Sequence, residues 1–219
     1  TVINAVDVAG GVPGQYILTG SATPLSLDEE DAPKHTGTGR IARMEMDTMT
    51  LEESGDSSKD VSLAKLFEEN GRVQGSSDID IEGYAELICN GGWPAPISFG
   101  RPDPGIAEDY IEALCETDVS QAANQDLDSS RTRALLRSLA RCSAQEASLA
   151  TLLADVQDTV KISDPTLRVY LNALRRLYVI TDIEAWAPNL RSKTPLRKAR
   201  VWHLCDPSLA AAALGCNAQ

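Results

Sequence analysis

The sequence predicts a mainly helical protein with some β structure, in which an incomplete α/β unit and a helical connector precede a winged-helix domain. Three observations carry this reading. Tyr16-Ile17-Leu18 is a short apolar run that stops at Thr19-Gly20-Ser21, as a buried strand does where it ends at a polar edge. After position 131, apolar residues recur at helical spacing in three successive segments. Beyond them, Val179-Ile180 with residues 183–186, and then residues 201–204, read as strands joined by a basic loop. Three helices followed by a β-hairpin is the plan of a winged helix, a relative of the helix-turn-helix.

Each element has its own local signal. Residues 2–8 read as the tail of a helix, and Gly10-Gly11 with Pro13-Gly14 deliver the chain into the strand at 16–18. Residues 22–39 are polar and acidic and read as a loop, Ile41, Met44 and Met46 as a second strand, and residues 50–54 as a helix start. Ser62 is placed to cap a helix that Asn70-Gly71 stops. A further helix spans 79–89 and ends at Asn90-Gly91-Gly92 and Trp93-Pro94, and residues 106–114 form an amphipathic segment. Residues 118–130 are polar and read as a linker or an exposed helix end. Helices then follow at 133–141 and 147–156. The last begins with Asp164 as N-cap and Pro165 at the first helical position, and repeats Leu167, Tyr170, Leu171, Leu174 and Leu177 along one face.

Charge supports a division at that linker. The 219 residues carry a net −12, divided as 7 Lys/Arg against 25 Asp/Glu (−18) in residues 1–130 and 13 against 7 (+6) in residues 131–219. Five cysteines without a C-x-x-C pair, and two histidines, argue against a structural zinc site and for reduced thiols in a cytoplasmic protein. No apolar run reaches the length of a membrane span. Asp78, Asp80, Glu82, Gly83 and Glu86 imitate part of a calcium loop, but Cys89 stands where the bidentate glutamate belongs, so acids at a helix N-terminus are the better account.

Several blocks resemble a known family. Tyr16-Ile-Leu-Thr-Gly-Ser21, His35-Thr-Gly-Thr-Gly-Arg40 and Cys89-Asn-Gly-Gly-Trp-Pro94 are similar to the second half of the ATPase core and lid in prokaryotic AAA-type ATPases of the AAA_14/DUF4143 family. Thr166-Leu-Arg-Val-Tyr-Leu-Asn-Ala-Leu174, Trp186 and Val201-Trp-His-Leu-Cys-Asp206 resemble the DUF4143 domain behind that core. The resemblance implies a distal P-loop ATPase core at 1–50, a helical lid at 51–125 and a winged-helix domain at 126–219. It also implies an internal piece of a longer protein, because no G-x-x-x-x-G-K-[ST] occurs and the family continues past the 210–214 helix into a region resembling a restriction-nuclease fold. ATP and magnesium are then cofactors of the full-length parent, the missing N-terminal P-loop segment is a partner, and this chain alone does not hydrolyse ATP.

Within that resemblance, Thr19 and Ser21 take the role of the sensor that hydrogen-bonds the γ-phosphate or attacking water, and Arg40 that of a phosphate-neutralising arginine. In the basic half, packing of the apolar face leaves Arg168, Asn172, Arg175 and Arg176 towards solvent, and the wing adds Arg191, Lys193, Arg197, Lys198 and Arg200. Such a surface neutralises DNA phosphates or docks on the ATPase core or another protein. The alternative to an ATPase is a self-standing DNA-binding or protein-docking regulator.

Overall fold

The computed structural model describes residues 6, 8–10, 14–22, 42, 44–68, 73–186 and 199–218. Thr1–Met46 and Asp47–Gln219 are separate compact units. Among the described residues of the first unit there is no strand. The buried strand expected at 16–18 is not formed, since residues 16–20 have no regular structure and Ile17 is 89% exposed. Three apolar residues without a partner strand cannot satisfy their N–H and C=O groups out of water, so the run stays solvated. Met44 and Met46 are likewise irregular and exposed. The partial P-loop core expected over 1–50 is therefore absent among the described residues. Most of the expected helix tail at 2–8, the loop at 23–39 and Ile41 lie outside them.

The second unit opens with a capped turn. Glu53 accepts hydrogen bonds from Thr50 N (2.8 Å) and Thr50 Oγ1 (3.0 Å), while Glu53 N donates back to Thr50 Oγ1. These bonds hold the Glu53 carboxyl below the usual carboxylate range. The reciprocal pattern is that of a capping box, but the chain leaves after one turn, at Gly55 with φ 89°. Helix α1 (Leu63–Glu68) follows, with Ser62 Oγ accepting from Lys65 N at 3.2 Å. Helix α2 (Ile81–Asn90) starts at Asp80, whose carboxylate accepts from Gly83 N at 2.8 Å, and ends at Gly91 with φ 70°. Helix α3 (Pro94–Phe99) is short and stops at Gly100.

Helix α4 (Gly105–Ala113) runs through a π-helical stretch (Leu114–Asp118) into α5 (Val119–Ala123), ending at Asn124 in the left-handed conformation. Residues 118–130, expected as a linker or an exposed helix end, are thus helical at their start, but Val119 and Ala122 are buried there rather than exposed. The division expected between 125 and 126 falls inside one hydrophobic core.

Helices α6 (Ser129–Arg141), α7 (Leu149–Gln157) and α8 (Asp164–Arg176) are capped by Asp128, Ser148 and Ser163. Ser163, not Asp164, caps α8, which places Asp164 in the first turn. Between α6 and α7 lies strand β1 (Gln145–Ala147), which no apolar pattern announces. Strands β2 (Ile180–Ile183) and β3 (Arg200–Leu204) pair antiparallel with Ile180 opposite Leu204, and β1 pairs with the other edge of β3, giving the order β1-β3-β2. The molecule is mainly helical with this small antiparallel sheet.

Leu135, Leu136 and Leu139 of α6, Leu152 and Val156 of α7, and Leu167, Tyr170, Leu171 and Leu174 of α8 belong to one hydrophobic core with Trp202 of β3. Each such leucine removed from water stabilises the fold by about 1.5–3 kcal/mol. Trp202 Nε1 donates to Ala147 O at 2.8 Å, so the largest buried ring also fixes β1.

Helix α9 (Pro207–Leu214) closes the unit and builds a connected polar node. Asp206, 1% exposed, caps α9 through Ser208 N (2.9 Å) and Ser208 Oγ (2.6 Å), and its other oxygen accepts from Gly92 N at 2.8 Å. Trp93 Nε1 donates to Ser208 Oγ at 2.9 Å, and Met49 N donates to Gly92 O at 2.7 Å. A Cβ on Gly92 would overlap the Met49 backbone.

Two stability changes follow from this packing. Gly92→Ala lowers stability by about 2 kcal/mol, because backbone on the other side of the contact cannot move aside as a side chain would. Ser138→Ala acts in the opposite direction: its hydroxyl oxygen is buried in α6 with no hydrogen-bond partner among the described residues, and its removal raises stability by about 1 kcal/mol. Urea unfolding at constant m checks both, and a midpoint that moves the wrong way refutes the corresponding assignment.

Candidate functional site

Helix α8 and the β2–β3 pair present the face on which the sequence concentrates basic residues. Arg168 and Asn172 are exposed on α8, as expected. Arg168 is tied to Asp164 one turn back, Nε to Oδ2 at 2.7 Å, which raises its pKa. Arg175 turns inward, donating to Asp182 Oδ1 at 2.7 Å and to Asn172 Oδ1 at 3.3 Å while its guanidinium lies 5.3 Å from the Trp202 ring centroid. Arg176 donates to the Ala122 carbonyl at the end of α5. Arg200 on β3 pairs with Asp182 and with Glu184, the latter at 2.7 Å. Arg191, Lys193, Arg197 and Lys198 lie outside the described residues.

Asp182 is the hub of this arrangement. Its side chain is 7% exposed and accepts from arginines on α8 and β3. Burial pushes its carboxyl upward, but the hydrogen bonds from Arg175 and Arg200 outweigh that and hold it below the usual range. Two cations on one carboxylate neutralise much of the charge that the sequence placed on this face. Neither Asp182 nor Trp202 stood out as a functional candidate. The available signal was the acids Asp182 and Glu184, at and just past the end of β2, in a segment expected to pair with the one that carries Arg200.

An open cavity of about 590 Å³ lies at the first turns of α6 and α8, lined among others by Asp126, Asp128, Arg131, Thr166 and Tyr170. Two of its polar groups are engaged within the fold: Asp128 Oδ1 accepts from Ser130 N (2.8 Å) and Arg131 N, and Tyr170 Oη accepts from Asp128 N at 2.9 Å. Elsewhere, Thr19 and Ser21 are exposed in irregular chain, and Arg40 lies outside the described residues. None of the five cysteines is in a disulfide, and burial pushes the Cys115 and Cys205 thiols up to about 11, which makes them poor nucleophiles at neutral pH. Among the described residues no three His, Cys, Asp or Glu side chains are placed to hold a metal ion. The acids imitating a calcium loop lead into α2, where Asp80 serves as N-cap.

Residues 81–219 match the family described as Domain of unknown function (DUF8612), well over half of the chain, and the chain belongs to that family. No curated protein and no solved structure matches it. This family assignment overturns the AAA_14/DUF4143 resemblance. Two of the blocks that suggested it meet in the Asp206 node, where Gly91, Gly92 and Trp93 approach Asp206 and Ser208 to cap a helix. Small residues and a tryptophan there are packing requirements of this fold. The expectations of ATP, magnesium, a missing P-loop segment and sensor roles for Thr19, Ser21 and Arg40 rested on that resemblance and lose their basis.

The Asp182 hub has a pH signature. Its folded pKa is lowered, so its contribution is present above the unfolded value of about 3.9 and is lost as pH falls through the folded one. Asp182→Asn therefore costs about 2 kcal/mol at neutral pH, and the gap to the parent protein narrows below about pH 4. Thermal unfolding of both proteins across pH 3–7 measures it; a constant gap would remove the charge from the explanation.

Proposed function

We propose that this DUF8612 chain is a binding module of winged-helix type, whose α8 face and β2–β3 end dock a protein partner. The observation that carries the proposal is the element order α6-β1-α7-α8-β2-β3 with β3 central in the sheet. In that plan the third helix packs one side on the core and offers the other. The exposed side of α8 here includes Pro165, Arg168 and Asn172. The state of its arginines favours protein over nucleic acid. Affinity for duplex DNA comes chiefly from cations that neutralise phosphates. Arg175 and Arg200 share Asp182, Arg176 is held by a backbone carbonyl, and Arg168 has its own carboxylate.

Duplex DNA is the second reading, and one observation favours it. The Arg168–Asp164 pair is exposed on both sides, so exchanging the carboxylate for a phosphate costs little, and residues 191–198 supply four further Lys/Arg in sequence. Fluorescence anisotropy of a labelled duplex with the full chain separates the two. Protein docking predicts no saturable binding at about 150 mM salt and no effect of Arg168→Ala. Submicromolar binding that weakens steeply with salt and falls about tenfold in Arg168→Ala would establish the DNA reading instead.

A further inference from the structure

The cavity at the first turns of α6 and α8 has two unlike walls. Gln125, Asp126, Asp128 and Arg131 stand on one, from the turn before α6 and its first residues, and this wall holds every charged group that lines the cavity. Pro165, Val169 and Tyr170 of α8 stand on the other, with Pro165 and Val169 one turn apart on the same stripe. At about 590 Å³ the space falls within the ~300–1,000 Å³ typical of small-molecule sites, which combine an apolar lining with a few convergent polar groups.

The fold leaves the charged wall incomplete. Arg131 is half-buried, and among the described residues its guanidinium makes no hydrogen bond or ion pair, unlike those of Arg133, Arg175 and Arg200. The Asp126 carboxylate and the Gln125 amide, both on exposed residues, are equally unengaged among the described residues. Asp128 uses one oxygen only. Its Oδ1 accepts from the Ser130 hydroxyl and from the backbone N–H groups of Ser130 and Arg131, while Oδ2 has no hydrogen-bond donor among the described residues. Those bonds, the Ser130 hydroxyl first, hold the Asp128 carboxyl below the usual range, so it is ionised at neutral pH.

The charges select the occupant. A simple anion drawn to Arg131 would also meet two carboxylates, and a simple cation drawn to the carboxylates would also meet Arg131. A ligand with both charges at one end and an apolar remainder suits both walls. We propose that this cavity binds a free α-amino acid with an apolar side chain. The amino acid sets its carboxylate on the fork of the Arg131 guanidinium and its ammonium between Asp126 and Oδ2 of Asp128, and its side chain lies along Pro165, Val169 and Tyr170. The site does not rest on what docks at the α8 face.

Isothermal titration calorimetry of the full chain with L-leucine, L-methionine and L-phenylalanine tests the proposal. The tightest of the three is expected to bind with Kd on the order of 100 μM. Its amide, which lacks the carboxylate, and its N-acetyl derivative, which lacks the ammonium, should each bind about tenfold more weakly, because each leaves one charged group of the wall unanswered. Arg131→Ala should weaken the amino acid about tenfold and leave the amide unchanged, whereas Asp126→Asn should weaken the amino acid and leave the N-acetyl derivative unchanged. The comparison of the three ligands on the parent protein decides the matter if circular dichroism shows either variant to be unfolded. The proposal is overturned if none of the three amino acids binds saturably up to about 10 mM. It is equally overturned if the amide or the N-acetyl derivative binds as tightly as the amino acid, which would give the cavity to a peptide terminus, or if a folded Arg131→Ala protein binds the amino acid as the parent does.

Discussion

A single buried carboxylate organises the second unit. Asp206 is out of water, and a buried polar group costs free energy unless its oxygens find hydrogen-bond partners. Its acceptors are filled by the start of its own helix and by the backbone of Gly92. That requirement draws the bend between α2 and α3 onto α9. It also explains why two glycines stand there: side chains at Gly91 and Gly92 would intrude on Asp206 and Ser208 in one case and on Met49 in the other. Thr48 Oγ1 donating to Cys205 O at 3.2 Å extends the same junction. The packing of α9 on α4 and α6 and the seating of α2 on α9 both depend on this node.

The second organising theme is the internal use of positive charge. Basic composition suggested a face built to meet phosphate, yet the arginines that the structure describes on α8 and β3 are each answered by an acceptor of the same chain. Asp182 ties its own strand β2 to the end of α8 and to the central strand β3, and Arg175 also covers one side of Trp202. A cation with a partner 2.7 Å away is part of the framework before it is part of a surface. Reading function from charge therefore required the counter-charges, which adjacency in sequence does not display.

Where local signals agreed, the elements of the second unit were legible. Helix α8 has an apolar face at regular spacing and a hydroxyl or carboxylate before a proline, and only its cap was misplaced by one residue because Ser163 and Asp164 are both good caps. The α2 stop at Asn90-Gly91-Gly92 and the pairing of β2 with β3 were equally clear. Strand β1 was illegible because Gln145-Glu146-Ala147 has no intrinsic strand character; it exists through hydrogen bonds to β3, among them Ala144 N to Trp202 O at 2.8 Å. In the polar stretch after 118 a helix end was one of the two readings, but its burial was not foreseen, because Val119 and Ala122 are too few to show a period. At 16–18 the opposite error arose, an apolar run without the partner that would make it a strand. The site was legible only in part: the exposed positions of Arg168 and Asn172 were foreseen, the hub at Asp182 was not.

The π-helical stretch at Leu114–Asp118 acts as a phase adjuster. A regular α-helix advances by about 100° per residue, so its inward face drifts around the axis as the helix lengthens. The wider turn slows that rotation for the length of one loop of chain. Ala107 and Ile111 before it and Val119 and Ala122 after it can then all point at the same core. A shorter or longer insert would rotate one end of the rod against the other. The length of this loop therefore works as a vernier between the α2–α3 end of the unit and the helices around Trp202, and a change of one residue there would be felt at both ends with no contact residue altered.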